Sequence, residues 1–102
     1  MIRNVVMGRL RASADPESAA RDRAQLEEGL AGIASLRLPG LVDCRLGVDA
    51  GLRDGGWSFA ITNDWQDEAA YRAYDADPEH GRYRALVAEV CAEVARVQFE
   101  TA

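Results

Sequence analysis

The tripeptide Asp-Pro-Glu occurs twice, at residues 15–17 and 77–79. Each copy contains what a helix needs to start. The aspartate can cap the first free backbone N–H groups, and proline fits the first helical position, where no N–H is needed. The glutamate favours the positive end of the helix dipole. Two such starts fix two points at which the chain turns into helix, and the remaining segments have to be fitted around them.

Before the first start, residues 2–11, IRNVVMGRLR, alternate imperfectly. Ile2, Val6 and Leu10 share one parity, and Val5 and Met7 the other, which predicts a strand with apolar groups on both faces. The helix opened by Asp15 runs to about Leu36, with Leu26, Leu30 and Ile33 at helical spacing, and Leu38-Pro39-Gly40 stops it. Residues 41–49, LVDCRLGVD, then predict a second strand with Val42, Cys44, Leu46 and Val48 on one face. The glycine-rich stretch 50–56 is a turn region, and WSFAITNDW predicts a third strand with Trp57, Phe59 and Ile61 together. Asp64 is expected to cap a short helix carrying Ala69, Ala70 and Tyr74, with Asp67 in the reciprocal position. The helix opened by Asp77 carries Tyr83, Leu86, Val87, Val90 and Val94 as its stripe, and residues 95–101 form a last strand with Val97 and Phe99 facing inward.

The order strand, helix, strand, strand, helix in two pieces, strand is the split β-α-β arrangement of the ferredoxin-like α+β class. It predicts an antiparallel four-stranded sheet with helices on one face, one domain over residues 1–102. A first strand that is apolar on both faces leaves the other side of the sheet in need of cover. A second copy of the same sheet, related by a twofold axis, supplies it, with Trp57 or Trp65 adding buried area.

Composition removes several function classes. The net charge of −5 argues against nucleic acid or an anionic membrane as partner. All twelve basic residues are arginines, which excludes a lysine Schiff base, a lysine-held pyridoxal group and a Walker lysine. Cys44 and Cys91 fit no metal spacing, and one histidine makes a zinc site untenable, so no metal is expected. The two cysteines read as small buried thiols of a reducing compartment. The opening MIRNVVMGRLR is too short and too charged for a signal peptide or a span. The expected location is the cytoplasm, and the lysine-free, Ala-, Arg- and Gly-rich composition suggests a GC-rich bacterial source.

The opening IRNVVMGRL, the stretch WSFAITNDWQDEAAYRAYDADPEHGRY and the closing VARVQFE resemble the Dabb family, the stress-responsive dimeric α/β-barrel domains. The resemblance implies a homodimer whose two sheets close into a barrel, and no cofactor. It does not imply one function: the family includes plant stress proteins, bacterial proteins of unknown role, and olivetolic acid cyclase, which folds a linear polyketide by an aldol condensation using a tyrosine and a histidine. Those two residues fall here on Tyr74 and His80, with five residues between them. Two positions depart from the family's habit, Asn4 and Asp77, where histidines are common. Asn4 cannot titrate, so a proton relay through that position is lost.

Tyr74 and His80 would lie about 240° apart on one unbroken helix. Pro78 breaks the helix between them, and the kink can bring both into one pocket. At the third position of the new helix the dipole disfavours imidazolium, which keeps His80 available as a general base. Tyr74 is the candidate to hold a substrate oxygen. Asn4, Trp57 and Phe59 are candidates to line the substrate pocket, and Arg72, Arg82 and Arg84 to hold an anionic tail. The leading expectation is a cofactor-independent catalyst of the cyclase or aldol type, acting on a small hydrophobic or carbonyl-containing ligand. The alternatives are a non-catalytic stress-responsive or ligand-binding dimer and a cofactor-free monooxygenase.

Overall fold

Both Asp-Pro-Glu starts do their local work in the structure, a computed structural model that describes residues 1–102. Asp15 accepts the backbone N–H of Ser18 at 2.8 Å and opens α1, Pro16–Ser35. Asp77 accepts the N–H of His80 at 2.9 Å and opens α3, Pro78–Glu89. Around them run β1 (Ile2–Leu10), β2 (Leu41–Val48), β3 (Phe59–Trp65), α2 (Glu68–Ala76) and β4 (Cys91–Glu100). The sheet is antiparallel throughout, in the order β2-β3-β1-β4, so β2 and β4 are its edges. This is the ferredoxin-like α+β fold, with the helices on one face.

The helix-facing side of the sheet divides in two. Leu26, Leu30 and Ile33 of α1 and Val87 and Val90 of the α3 region bury against Phe59 and Ile61. Further along the strands, Leu36, Trp65 and Tyr74 form a second, smaller cluster. The first depends on a close approach of α1 to α3. A Cβ at Gly29 would stand 2.6 Å from Val87 Cγ2, and one at Gly32 would run into the Tyr83 ring. Larger residues there would push α3 away, and α3 carries His80.

Four local expectations are corrected. Asp64 is not a cap. It lies in β3 and takes two hydrogen bonds from Arg3, at 2.7 and 2.9 Å, while Asp67 caps α2 through the N–H of Ala70. β2 carries an irregularity between Leu41 and Asp43, so Leu41 faces Trp65's side and Val42 is 57% exposed. β4 begins at Cys91, so Val94 belongs to the sheet opposite Gly8 rather than to a helical stripe. Val97 and Phe99 do not face inward. They pair with Val5 and Arg3 on the side away from the helices and are 54% and 44% exposed. Trp65 turns the other way, toward the helices, and is fully buried there. No helix is long and apolar enough to cross a membrane.

Candidate active site

α2 ends where α3 begins, and Asp77 serves both: its N–H donates to the Tyr74 carbonyl while its carboxylate caps α3. The backbone therefore folds back on itself between residues 74 and 80. His80 swings under α2 instead of pointing to solvent and is 5% exposed. Its Nδ1 lies 2.9 Å from the Tyr74 carbonyl oxygen. A carbonyl can only accept, so Nδ1 carries the proton. In the neutral ring Nε2 then bears the lone pair. The same carbonyl already takes the Asp77 N–H at 3.1 Å, so it accepts two bonds, which its two lone pairs allow.

The imidazole stacks on the Tyr74 ring, with centroids 3.8 Å apart and planes at 26°. Burial is the main cause that lowers the pKa of His80 below its usual 6.5, and the nearby Arg84 guanidinium adds to it. The Tyr74 carbonyl, Asp75 and Asp77 pull the other way but do not prevail. The ring is therefore neutral at neutral pH, with a free lone pair on Nε2.

Tyr74 is set by a chain of buried amides that no single sequence position announces. The Trp65 indole can only donate, and it donates to Asn63 Oδ1 at 2.8 Å. This fixes the Asn63 amide. Its Oδ1 also accepts from Asn4 Nδ2 at 3.1 Å, and its Nδ2 turns to the Tyr74 hydroxyl at 3.3 Å. Asn4 Oδ1 accepts in turn from Gln98 Nε2 at 3.0 Å. Because Tyr74 accepts from Asn63, its own O–H remains free to donate to something else. Burial pushes the Tyr74 pKa up to about 12, so the phenol keeps that hydrogen.

Tyr74, His80 and Asn4 line one cavity of about 50 Å³, together with aliphatic groups from β1, β3, α1 and α3 and the polar side chains of Tyr71, Asp75, Arg84 and Arg96. Tyr74 and His80 lie on consecutive helices and meet through the break at Pro78, while Asn4 comes from β1, far away in sequence. Trp57 and Phe59 are not part of it, which corrects the expectation that they line the substrate pocket. Phe59 is 3% exposed in the apolar core. Trp57 lies before β3, under the Arg9 guanidinium at 4.3 Å, beside a different groove. Strand parity gave the right face for Phe59 but not its place along the strand: the β3 side chain that lines the cavity is Ile61, two residues further on. Asn63, Tyr71 and Arg96 went unnoticed in the sequence. For Asn63 a signal exists, since it shares parity with Phe59, Ile61 and Trp65 and so had to be buried. No three His, Cys, Asp or Glu side chains are placed to hold a metal ion.

A family model described as the stress responsive A/B barrel domain, Dabb, matches residues 2–101. No curated protein matches the sequence. Among solved structures, the chain is similar to a dimeric ferredoxin-like protein of unknown function from Thermobifida fusca (28% identity, 98% of this chain and 90% of that one, TM-score 0.75). It is similar in fold to SnoaB, a cofactor-independent oxygenase from Streptomyces nogalater (19% identity, 98% and 91% covered, TM-score 0.68). The hydroxynitrile lyase of Passiflora edulis shares the fold as well (16% identity, 96% and 90% covered, TM-score 0.64).

Proposed function

The chain belongs to the stress responsive A/B barrel domain family, Dabb, and from that premise we propose that it is a cofactor-independent small-molecule enzyme of the aldol or cyclase type. The observation that carries this reading is the pinned, stacked pair: His80 Nδ1 held by the Tyr74 carbonyl at 2.9 Å, with both side chains lining one cavity. His80 Nε2 removes a proton from carbon beside a carbonyl. The C–H electron pair becomes the enolate double bond, and the carbonyl π pair moves to oxygen. The free Tyr74 O–H donates to that oxygen as charge develops on it, from a side chain that is itself buried. The enolate carbon then attacks a second carbonyl, and His80 returns the proton. A general base of this kind contributes about 10²–10⁴-fold in rate. Fold relatives that are a cofactor-independent oxygenase and a hydroxynitrile lyase support small-molecule chemistry on this scaffold.

Deuterium uptake tests the first step without knowledge of the substrate. A panel of small ketones and keto acids is incubated with the protein in D₂O, and exchange at the carbon beside the carbonyl is read by NMR. Catalysed exchange that vanishes in His80→Gln and drops in Tyr74→Phe is the expected result. Exchange that is equal in both variants and the native protein would remove the proposed roles. Cofactor-free oxygenation begins with the same proton removal, and oxygen consumption distinguishes it. Asn4 lines the cavity and cannot carry a proton, which favours one other reading, a dimer that binds a ligand without turning it over; binding with no exchange on any compound would establish that.

The assembly we propose is a homodimer formed through the open side of the sheet. Val5, Met7, Val97 and Phe99 lie together there, the last three 39%, 54% and 44% exposed. An apolar strip of this kind on a small domain marks a contact surface, and the Thermobifida fusca relative is described as dimeric. Sedimentation should give a dimer at micromolar concentration and a monomer for Val97→Glu; a native monomer would end this proposal. The unpaired thiols Cys44 and Cys91 fit a reducing, cytoplasmic setting.

A further inference from the structure

The arginines around the cavity are not equivalent. Arg72 pairs with Glu68 at 2.8 Å, Arg82 with Glu79 at 3.6 Å, and Arg84 with Asp75 at 2.8 Å. These are the three that sequence position puts nearest to Tyr74 and His80, and each already has a carboxylate. Arg96 is different. It lies on the edge strand β4, paired with Val6, and projects on the helix-facing side between Val94 and Gln98. It lines the cavity with Tyr74 and His80, and none of the chain's ion pairs includes it.

The charges facing the cavity are Arg84, Arg96 and Asp75, with His80 neutral, so the lining carries one positive charge in excess. The chain as a whole carries −5. A surplus cation in an acidic protein, at the mouth of the one cavity that holds a proton-transfer pair, is a recognition element for an anion.

We propose that the substrate is a small carbonyl compound bearing a single carboxylate, and that Arg96 binds that carboxylate while Tyr74 takes the carbonyl oxygen. This rests on the reading of Tyr74 and His80 given above and names the substrate class for it. The guanidinium fork matches the two oxygens of a carboxylate and holds them in one plane, which orients the rest of the molecule. One free cation suits one negative charge. A phosphate ester, carrying about −1.5 to −2 at neutral pH, calls for a second guanidinium, and Arg84 is already held by Asp75. The small cavity excludes a long chain from its interior. Arg96 is a specificity-determining residue here and takes no part in the proton transfer.

Levulinate and acetonylacetone provide the test. They differ only in that a methyl ketone replaces the carboxylate, so any difference in affinity reports the charge. Binding is followed by the ¹⁵N-edited NMR signals of the His80 ring and, in the native protein, the Arg96 guanidinium; the His80 signal also reports that each variant is folded. Levulinate should shift both groups and bind about tenfold more tightly than acetonylacetone. In Arg96→Gln the two should come within about threefold of each other through a loss on levulinate alone, and Arg96→Lys should recover part of the gap. Equal affinities in the native protein, with His80 shifted by both, overturn the carboxylate assignment and leave the Tyr74–His80 site standing. Levulinate that shifts Arg96 but not His80 is a surface ion contact, and it also overturns the assignment. If neither compound moves His80, the assignment and the pocket reading fall together.

Discussion

The two ends of the helix-facing sheet are buried to the same degree and built of different matter. At one end Leu26, Leu30, Ile33, Phe59, Ile61, Val87 and Val90 make an apolar core with no polar side chain among them. At the other, Asn4, Asn63 and His80 are 3%, 2% and 5% exposed beside Trp65 and Tyr74. Burying an amide is costly unless all its bonds are made, and Leu or Val in these places would fill the space more simply. The first end is what a small fold requires to be stable. The second is explained by what it holds in position: a phenol with a free hydrogen and an imidazole with a free lone pair.

The largest effect that separates the two ends is expected from His80→Gln. Gln keeps a donor for the Tyr74 carbonyl and much of the volume but cannot take a proton. Deuterium exchange should fall by about 10²–10⁴-fold, while the melting temperature moves by a few degrees at most. A large loss of stability with exchange retained would reverse the roles assigned to the two ends.

Leu26→Ala makes the opposite cut. Leu26 is fully buried in the apolar core, and truncations of this kind cost about 2–5 kcal/mol. On a domain of this size each kcal/mol lowers the melting temperature by about 4–8 °C. Exchange per folded molecule should be unchanged, measured below the new transition. If activity falls in step with neither temperature nor folded fraction, the ends are coupled and the division is wrong.

Trp65→Phe is a finer probe. The ring stays and only the N–H is lost, a hydrogen bond worth about 0.5–1.5 kcal/mol. With no indole to hold Oδ1, Asn63 can turn over together with the Asn4 and Gln98 amides, which reverse as a chain, and present an oxygen to Tyr74. The phenol hydrogen would then be spent inside the protein. Exchange should drop toward the Tyr74→Phe level for a small change in stability, and native exchange rates in Trp65→Phe would show that the indole does not set the amide.

How far the sequence discloses these two ends follows from the range of the interactions. The apolar end was legible because periodicity is local: Leu26, Leu30 and Ile33 identify themselves on α1. The two helix starts were legible for the same reason. The meeting of Tyr74 and His80 was half legible, since Pro78 announces the break but not the angle. The amide chain was not legible, because Asn4, Asn63 and Gln98 come from three strands and each reads alone as an ordinary polar residue. Asp64 misled because two aspartates three positions apart both suit a cap. A guanidinium 61 residues away decided which one was free to do it. Val42 misled because one irregularity in β2 inverts the parity of what precedes it.

The smallest effect is one of pH, and it resolves the ends by where each loses stability. In the folded protein burial holds the His80 pKa below 6.5, while in the unfolded chain the ring titrates near its usual value. The fold therefore favours the neutral ring. Its contribution is complete above the unfolded pKa, shrinks as pH falls below about 6.5 and is gone once pH has passed the folded pKa. Exchange catalysis should follow the folded pKa itself, full above it and lost below it as Nε2 takes a proton. Asp22 and Asp64 titrate in a separate window. Arg11 and Arg3 hold their pKa values below the usual 3.8, so their contribution is present above that value and fades only in stronger acid. Chemical denaturation across pH should thus show two steps, and His80→Gln should erase the upper one alone. An upper step that survives the substitution would mean that another group at the polar end changes charge there, and the neutral imidazole would no longer account for it.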